Sequence, residues 1–127
     1  MAKRCHTDVL DNGLNEIKNN VTRMIACSAE PTTFAEANAT YALADVTLDS
    51  SDFTLANGDG AGTTPRKCTV GAQSGVTVDT SGTATHVALV DVANSKLEYV
   101  TTCTSQALTG GNTVNFPAWE IELGAPT

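Results

Sequence analysis

THVALVDV (residues 85–92) and KLEYVTTCT (residues 96–104) flank the three residues Ala93-Asn94-Ser95, and the reading of this stretch decides the fold class. Both runs are rich in Val, Thr, Leu and Tyr, which suit a pleated, half-buried surface, and so short a spacer leaves the chain little choice but to reverse. An antiparallel hairpin is predicted. The same rhythm extends outward, with RKCTVGAQS (66–74), GVTVDTS (75–81) and WEIELG (119–124) as three further strand candidates. Their separators are Gly75, Ser81-Gly82 and Thr109-Gly110-Gly111-Asn112, and neighbouring strands joined by such turns are expected to pair as antiparallel hairpins. In the last candidate Trp119, Ile121 and Leu123 alternate with Glu120 and Glu122, the period-two pattern of a half-buried strand. It is expected to be an inner strand, with its apolar residues in the core and its two acids toward solvent or a neighbour.

The N-terminal half is less regular. Leu10, Leu14, Ile17 and then Val21 recur at helical spacing, so DVLDNGLNEIKNN (8–20) is predicted to be a helix, with Thr7 or Asp8 as its cap. Gly13 weakens it by about 1 kcal/mol relative to Ala, so the stripe needs the sheet or a sister subunit to pack on. VTRMIACSAE (21–30) reads as the first strand, stopped by Pro31. PTTFAEANATYALADVTLDS (31–50) reads as a loop leading to a strand near Ala44–Leu48, and SSDFTLANGDGAGTTP (50–65) as a long surface loop. The expected fold is mainly β, an antiparallel β-sandwich or barrel with a short N-terminal α-helix. Residues 1–7 are expected to form a flexible arm, and residues 8–127 a single β-rich domain.

Composition narrows the function. Ile, Leu, Val and Phe number only 26 of 127 residues, while Thr contributes 20 and Ala 17, so the core must be built from small, flat contacts. A domain this lean in large apolar side chains gains stability from neighbouring subunits or a partner surface. The net charge is −7 and the only adjacent basic pairs are Lys3-Arg4 and Arg66-Lys67, which excludes a basic stripe for direct nucleic-acid binding. The N-terminal twenty residues are polar and no apolar run approaches the roughly 18 residues of a membrane span, so neither a signal peptide nor a membrane partner is expected. Cys5, Cys27, Cys68 and Cys103 contain no C-x-x-C and are expected to be reduced thiols, some of them buried.

Groups suited to chemistry are scarce. His6 beside Cys5 reads as a surface pair, and His86 lies on the opposite strand face from Asp91, so the two form no dyad. Asp52, Asn57 and Asp59 surround a glycine-rich run that lacks the closing Glu of an EF-hand loop. Glu120 and Glu122 lie on one strand, whereas glycosidases bring two carboxyls across a cleft. No nucleophile elbow, phosphate loop or zinc signature is present. No enzyme, cofactor or metal is expected.

Four segments carry a resemblance: LD-x-x-LN-x-IK-x-N at Leu10–Asn20, CS-x-EPTT-x-x-EA at Cys27–Ala37, TATH-x-ALVD at Thr83–Asp91, and GNTV-x-F followed by I-E-L within Gly111–Leu123. On these the chain resembles small virion proteins of tailed bacteriophages. The resemblance implies a structural component of the particle, a capsid decoration or cement protein on the major capsid lattice, often a trimer. It further implies synthesis in the host cytoplasm and residence on the capsid surface, with the major capsid protein and other copies of itself as partners. The expected contacts are Lys3 and Arg4 of the arm, Leu10, Leu14 and Ile17 of the helix, and Glu120 and Glu122 of the last strand. A tail, neck or fibre-associated place in the virion is the alternative. A carbohydrate-binding module is a further one, for which Phe34, Tyr41, Phe53, Tyr99, Phe116 and Trp119 are the whole aromatic supply. Deleting residues 1–7 is expected to weaken capsid binding without unfolding the domain, checked by occupancy on purified particles alongside a thermal melt.

Overall fold

A computed structural model of the chain describes residues 7–58 and 66–123, with side chains from Leu10 onward. Helix α1 spans Thr7–Asn20, followed by β1 (Arg23–Cys27), a π-helical turn (Glu36–Thr40) and β2 (Ala42–Thr47). A short 3₁₀ turn (Ser50–Asp52) leads into β3 (Phe53–Asn57), and β4 (Arg66–Val70) and β5 (Gln73–Thr77) follow. The chain continues as β6 (Gly82–Asp91), β7 (Lys96–Leu108), β8 (Thr113–Phe116) and β9 (Trp119–Leu123). The architecture is mainly β, with antiparallel sheets and one N-terminal α-helix, and no sheet of the described residues closes into a barrel. The elements form two compact units: Val21–Leu48 with Gln73–Phe116, and the described parts of Met1–Asn20, Asp49–Ala72 and Pro117–Thr127.

The first of these units is organised by the β6–β7 hairpin at the predicted place. Asp91 is 2% exposed, and its carboxylate accepts hydrogen bonds from the Asn94 backbone N–H (3.2 Å) and the Asn94 Nδ2 (2.8 Å). This Asx-type closure folds the turn from its own side chains and holds the Asp91 carboxyl below its ordinary range, the Asn94 side-chain bond being the largest cause. Ser95 completes the reversal at φ 54°. β6 then pairs with β1, and β1 with β2, giving the order β2-β1-β6-β7. The partners Ile25↔Ala88, Cys27↔His86 and Arg23↔Val90 share one face of the sheet, and Met24↔Leu89 and Ala26↔Val87 the other. Ile25, Ala88, Met24 and Leu89 are all 0% exposed, so both central strands are buried on both faces.

The π-helical turn covers the Ile25 face. Ala37, 0% exposed, packs with Ile25, Cys27, Ala88 and Val90, flanked by Phe34 and Tyr41. Thr33 Oγ1 accepts the Glu36 N–H (3.1 Å), and the Glu36 carboxylate accepts from both the backbone N–H (2.9 Å) and the hydroxyl (2.7 Å) of Thr32. These bonds satisfy the turn's orphan donors and hold the Glu36 carboxyl below its ordinary range. The widened geometry is anchored by the Tyr41 N–H on Glu36 O (2.8 Å), and the Ser28 N–H donates to Tyr41 O (3.0 Å) to join the turn to the end of β1. Residues 31–41, expected to be loop, are thus partly helical, and β2 starts at Ala42 rather than near Ala44. The Ala-rich stretch takes helical form because Ala37 is small enough to sit directly on the sheet.

Three further expectations are corrected. SSDFTLAN is not a loop: its turn formers are used in the 3₁₀ turn, where Asp49 accepts from the Ser51 N–H (2.8 Å) and Asp52 from the Asp49 N–H (2.8 Å), and Phe53–Asn57 then pairs fully with β4. Gly75 does not separate two strands but lies inside β5 at φ 67°, where the β5–β8 register shifts and its N–H meets Asn115 Oδ1 at 2.8 Å. Of the turn-linked neighbours only β6 and β7 form a hairpin, because β4 pairs with β3 and β9, and β5 pairs with β8, a strand not foreseen. Residues 59–65 of the expected loop lie outside the described residues.

The second unit places α1 on the sheet β3-β4-β9. Leu14 (1%) and Ile17 (8%) are buried, Lys18 Nζ donates to the carbonyls of Ser50 (2.9 Å) and Phe53 (2.8 Å), and Arg66 Nε reaches Asp11 Oδ1 at 2.7 Å. Of the two surfaces expected to receive the stripe, the sheet of its own unit supplies one. β9 is the last strand in the order, an edge rather than an inner strand, with Ile121 buried and Trp119 and Leu123 half-buried. Its position follows from β4, which has β3 on its other side.

Because Ala88 is fully enclosed beneath the π-helical turn, Ala88→Leu should overpack the site and cost roughly 1–3 kcal/mol. Urea unfolding checks this, with exposed Thr80→Ala expected to stay within about 0.5 kcal/mol as the control.

Candidate interaction surface

The register of the β3-β4-β9 sheet divides its residues between two faces. Phe53↔Val70↔Trp119 and Leu55↔Cys68↔Ile121 are direct partners on the face that meets α1. Alternation therefore puts Thr54, Ala56, Lys67, Thr69, Glu120 and Glu122 on the other face. The carboxylates singled out from the sequence are thus brought together, and both are exposed.

Lys67 organises them. Its Nζ lies 2.6 Å from Glu120 Oε2, and its backbone stands directly opposite Glu122. The Glu122 carboxylate lies over Gly58, where an added Cβ would come within 2.7 Å of the Glu122 Cδ. A side chain at Gly58 would displace the end of the exposed Glu122 side chain. Among the described residues this face carries one ammonium and two carboxylates, a net negative balance suited to a basic partner surface. Lys67 was not singled out from the sequence: 53 positions separate it from Glu120, and only the β4–β9 register makes them neighbours. The one available signal was the alternation of Lys67 and Thr69 with buried Cys68 and Val70.

The other expected contacts sit differently. Leu14 and Ile17 are buried within their own unit, Leu10 is half-buried, and Lys3 and Arg4 lie outside the described residues, as do Cys5 and His6. His86 Nδ1 lies 2.9 Å from Thr85 Oγ1, and the Asp91 carboxylate is engaged by Asn94. Of the residues weighed for calcium, Asp52 accepts the Asp49 N–H, Asn57 Oδ1 accepts from Arg66 Nη1 (2.8 Å), and Asp59 is outside the described residues. Among the described residues no group of three His, Cys, Asp or Glu is arranged to hold a metal ion.

Cys27, Cys68 and Cys103 are free thiols. Burial, with a smaller contribution from Cys103, pushes the Cys27 thiol up to about 11, and its Sγ lies 3.9 Å from the carbonyls of Ile25 and Ala37. Burial also raises Cys68, partly offset by Lys18, and raises Cys103. Each therefore favours the protonated, unreactive form at neutral pH. Phe53 and Phe116 are buried, and Phe34 and Tyr41 pack against the core, so these four do not combine into an exposed aromatic platform.

Comparison with known protein families, curated proteins and solved structures gives no match. Glu120→Gln is expected to cost less than about 1 kcal/mol in urea unfolding, since the pair is partly exposed, at 19% for Lys67 and 44% for Glu120.

Proposed function

We propose that this protein is a structural component of a tailed-bacteriophage virion, a capsid decoration or cement protein that sits on the major capsid lattice as a homotrimer. The observation that carries the reading is where the four resembling segments fall. Leu14 and Ile17, Cys27 and Ala37, Ala84 and Ala88 to Asp91, and Phe116 and Ile121 are all buried, one set from each segment. A resemblance held in core positions is one of framework, and a framework is what an assembly part has to keep. The outward positions of the β3-β4-β9 sheet add a polar face, net negative among the described residues, of the kind that meets a basic lattice surface.

Decoration needs no reaction. Apolar area buried across junctions of the shell contributes roughly 25 cal/mol per Å², so expansion of the shell under internal pressure must first break those contacts. Each copy contributes modestly, and repetition over the lattice multiplies the effect. A trimer repeats one heterologous contact around its axis and closes, matching a threefold position of a shell.

Imaging particles assembled with and without the protein tests this. The expected result is density at repeated lattice positions, in a fixed ratio to the major capsid protein, with earlier rupture of the shell when the protein is omitted. Density confined to the neck or tail, at the copy number of a single ring, would overturn the capsid assignment.

A further inference from the structure

The order β2-β1-β6-β7 leaves two outer strands, and the structure treats them differently. The outer side of β2 is occupied: Ala44 bridges to Val78, and the N–H groups of Asp79 (2.8 Å) and Thr80 (3.1 Å) donate to Leu43 O. Among the described residues no strand pairs with the outer side of β7, although β7 is the longest strand, at 13 residues. From Thr102 to Ala107 every residue is exposed. The ladder to β6 also loosens there, because Ala84↔Gln106 is followed by His86↔Thr102, which sets Cys103, Thr104 and Ser105 against Thr85 alone. Backbone donors and acceptors in that bulge are released from β6 and must find other partners.

Charge supplies the second observation. Open edges are commonly protected from pairing by Lys, Glu, Pro or a bulge; of these β7 carries the bulge at Cys103–Ser105, while the sequence from Tyr99 to Trp119 contains no Asp, Glu, Lys or Arg and β7 contains no Pro. In a chain of net charge −7, two copies repel over most of their surfaces, and a neutral edge is where they can meet without a like-charge penalty.

We infer that the outer edge of β7 is a self-association site, where the β7 of a second copy pairs antiparallel about a two-fold axis beside Cys103. Opposed residues in an antiparallel pair share a face, so a two-fold pairing must set one residue opposite its own counterpart. With Cys103 at that place, Thr102 faces the second copy's Thr104, Thr101 faces its Ser105, and Val100 faces its Gln106. Hydroxyl pairs of this kind form cross-strand hydrogen bonds, and no charge opposes its like. This contact is isologous, distinct from the heterologous contact of a trimer, and it does not depend on the capsid reading.

Sedimentation of the purified full-length chain, with and without the Thr102→Lys/Thr104→Lys pair, tests it. The expected result is an even-numbered assembly whose two-fold contact weakens roughly tenfold or more in the variant, since lysines would then face lysines across the axis, with unchanged circular dichroism. In a Cys5→Ser background, oxidation at alkaline pH, where the Cys103 thiolate forms, should link Cys103 to Cys103 of the second copy rapidly. A Cys103→Ser/Ser105→Cys variant should link more slowly, because position 105 faces position 101. A monomer at every concentration, an assembly indifferent to the lysines, or equal linking at 103 and 105 would overturn the proposal.

Discussion

Everything in the larger unit depends on burying β1 and β6 on both faces, with Ala26, Cys27 and Ala88 set among the larger Met24, Ile25 and Leu89. Ile25, Cys27, Ala88 and Val90 form one side of this layer, and Met24, Ala26 and Leu89 the other, all with 3% exposure or less. A chain with so few large apolar side chains can fill such a layer only if covering elements approach closely, because dispersion attraction falls off within a fraction of an ångström of contact. The π-helical turn meets that demand: Ala37 presents a methyl group to the sheet, and the turn's polar groups are satisfied by Thr32, Thr33 and Glu36. The Arg23 guanidinium extends from the same face to Asn38 Oδ1 at 2.7 Å and lies 3.8 Å from Asp45, so polar bonds border the dry cluster.

The local irregularities serve the sheets. Gly75 and the Gln73/Val76 register shift let β5 accept Asn115 as a partner, and the widened segment of β7 opposite Thr85 releases backbone toward solvent. Bulges re-aim a strand without ending it, which is why a glycine within a Thr- and Val-rich run is an ambiguous sign. Titration follows the same economy of local bonds. Asp91, Asp49 and Glu36 all have carboxyls held below their ordinary range by hydrogen bonds to nearby donors. A lowered folded-state pKa contributes stability that is complete above the ordinary carboxylate range and is lost as pH falls through the folded value, so these three turns are the acid-sensitive points of the fold.

The proposed role in assembly draws on surfaces rather than on reactive groups. Glu120 on β9 is paired with Lys67, and the three described thiols favour their protonated form. What the described surface offers is shape and charge: a net negative sheet face on one unit and, on the other, a strand edge that is uncharged from Tyr99 to Leu108.

By itself the sequence determined the helix over residues 8–20, the first strand, the hairpin at Ala93-Asn94-Ser95, the terminal strand WEIELG and the mainly β class. Each rests on a periodicity or turn chemistry that acts over a few residues. Tertiary structure decided the rest. Whether β4 would take β3 and β9 as partners instead of β5, and whether WEIELG would lie at an edge, depended on long-range pairing that no local pattern encodes. The strands at Phe53–Asn57 and Thr113–Phe116 were hidden among turn formers whose side chains the fold uses as caps and bulges. The pairing of Lys67 with Glu120 likewise had no sequence signature, because register alone brings the two side chains together.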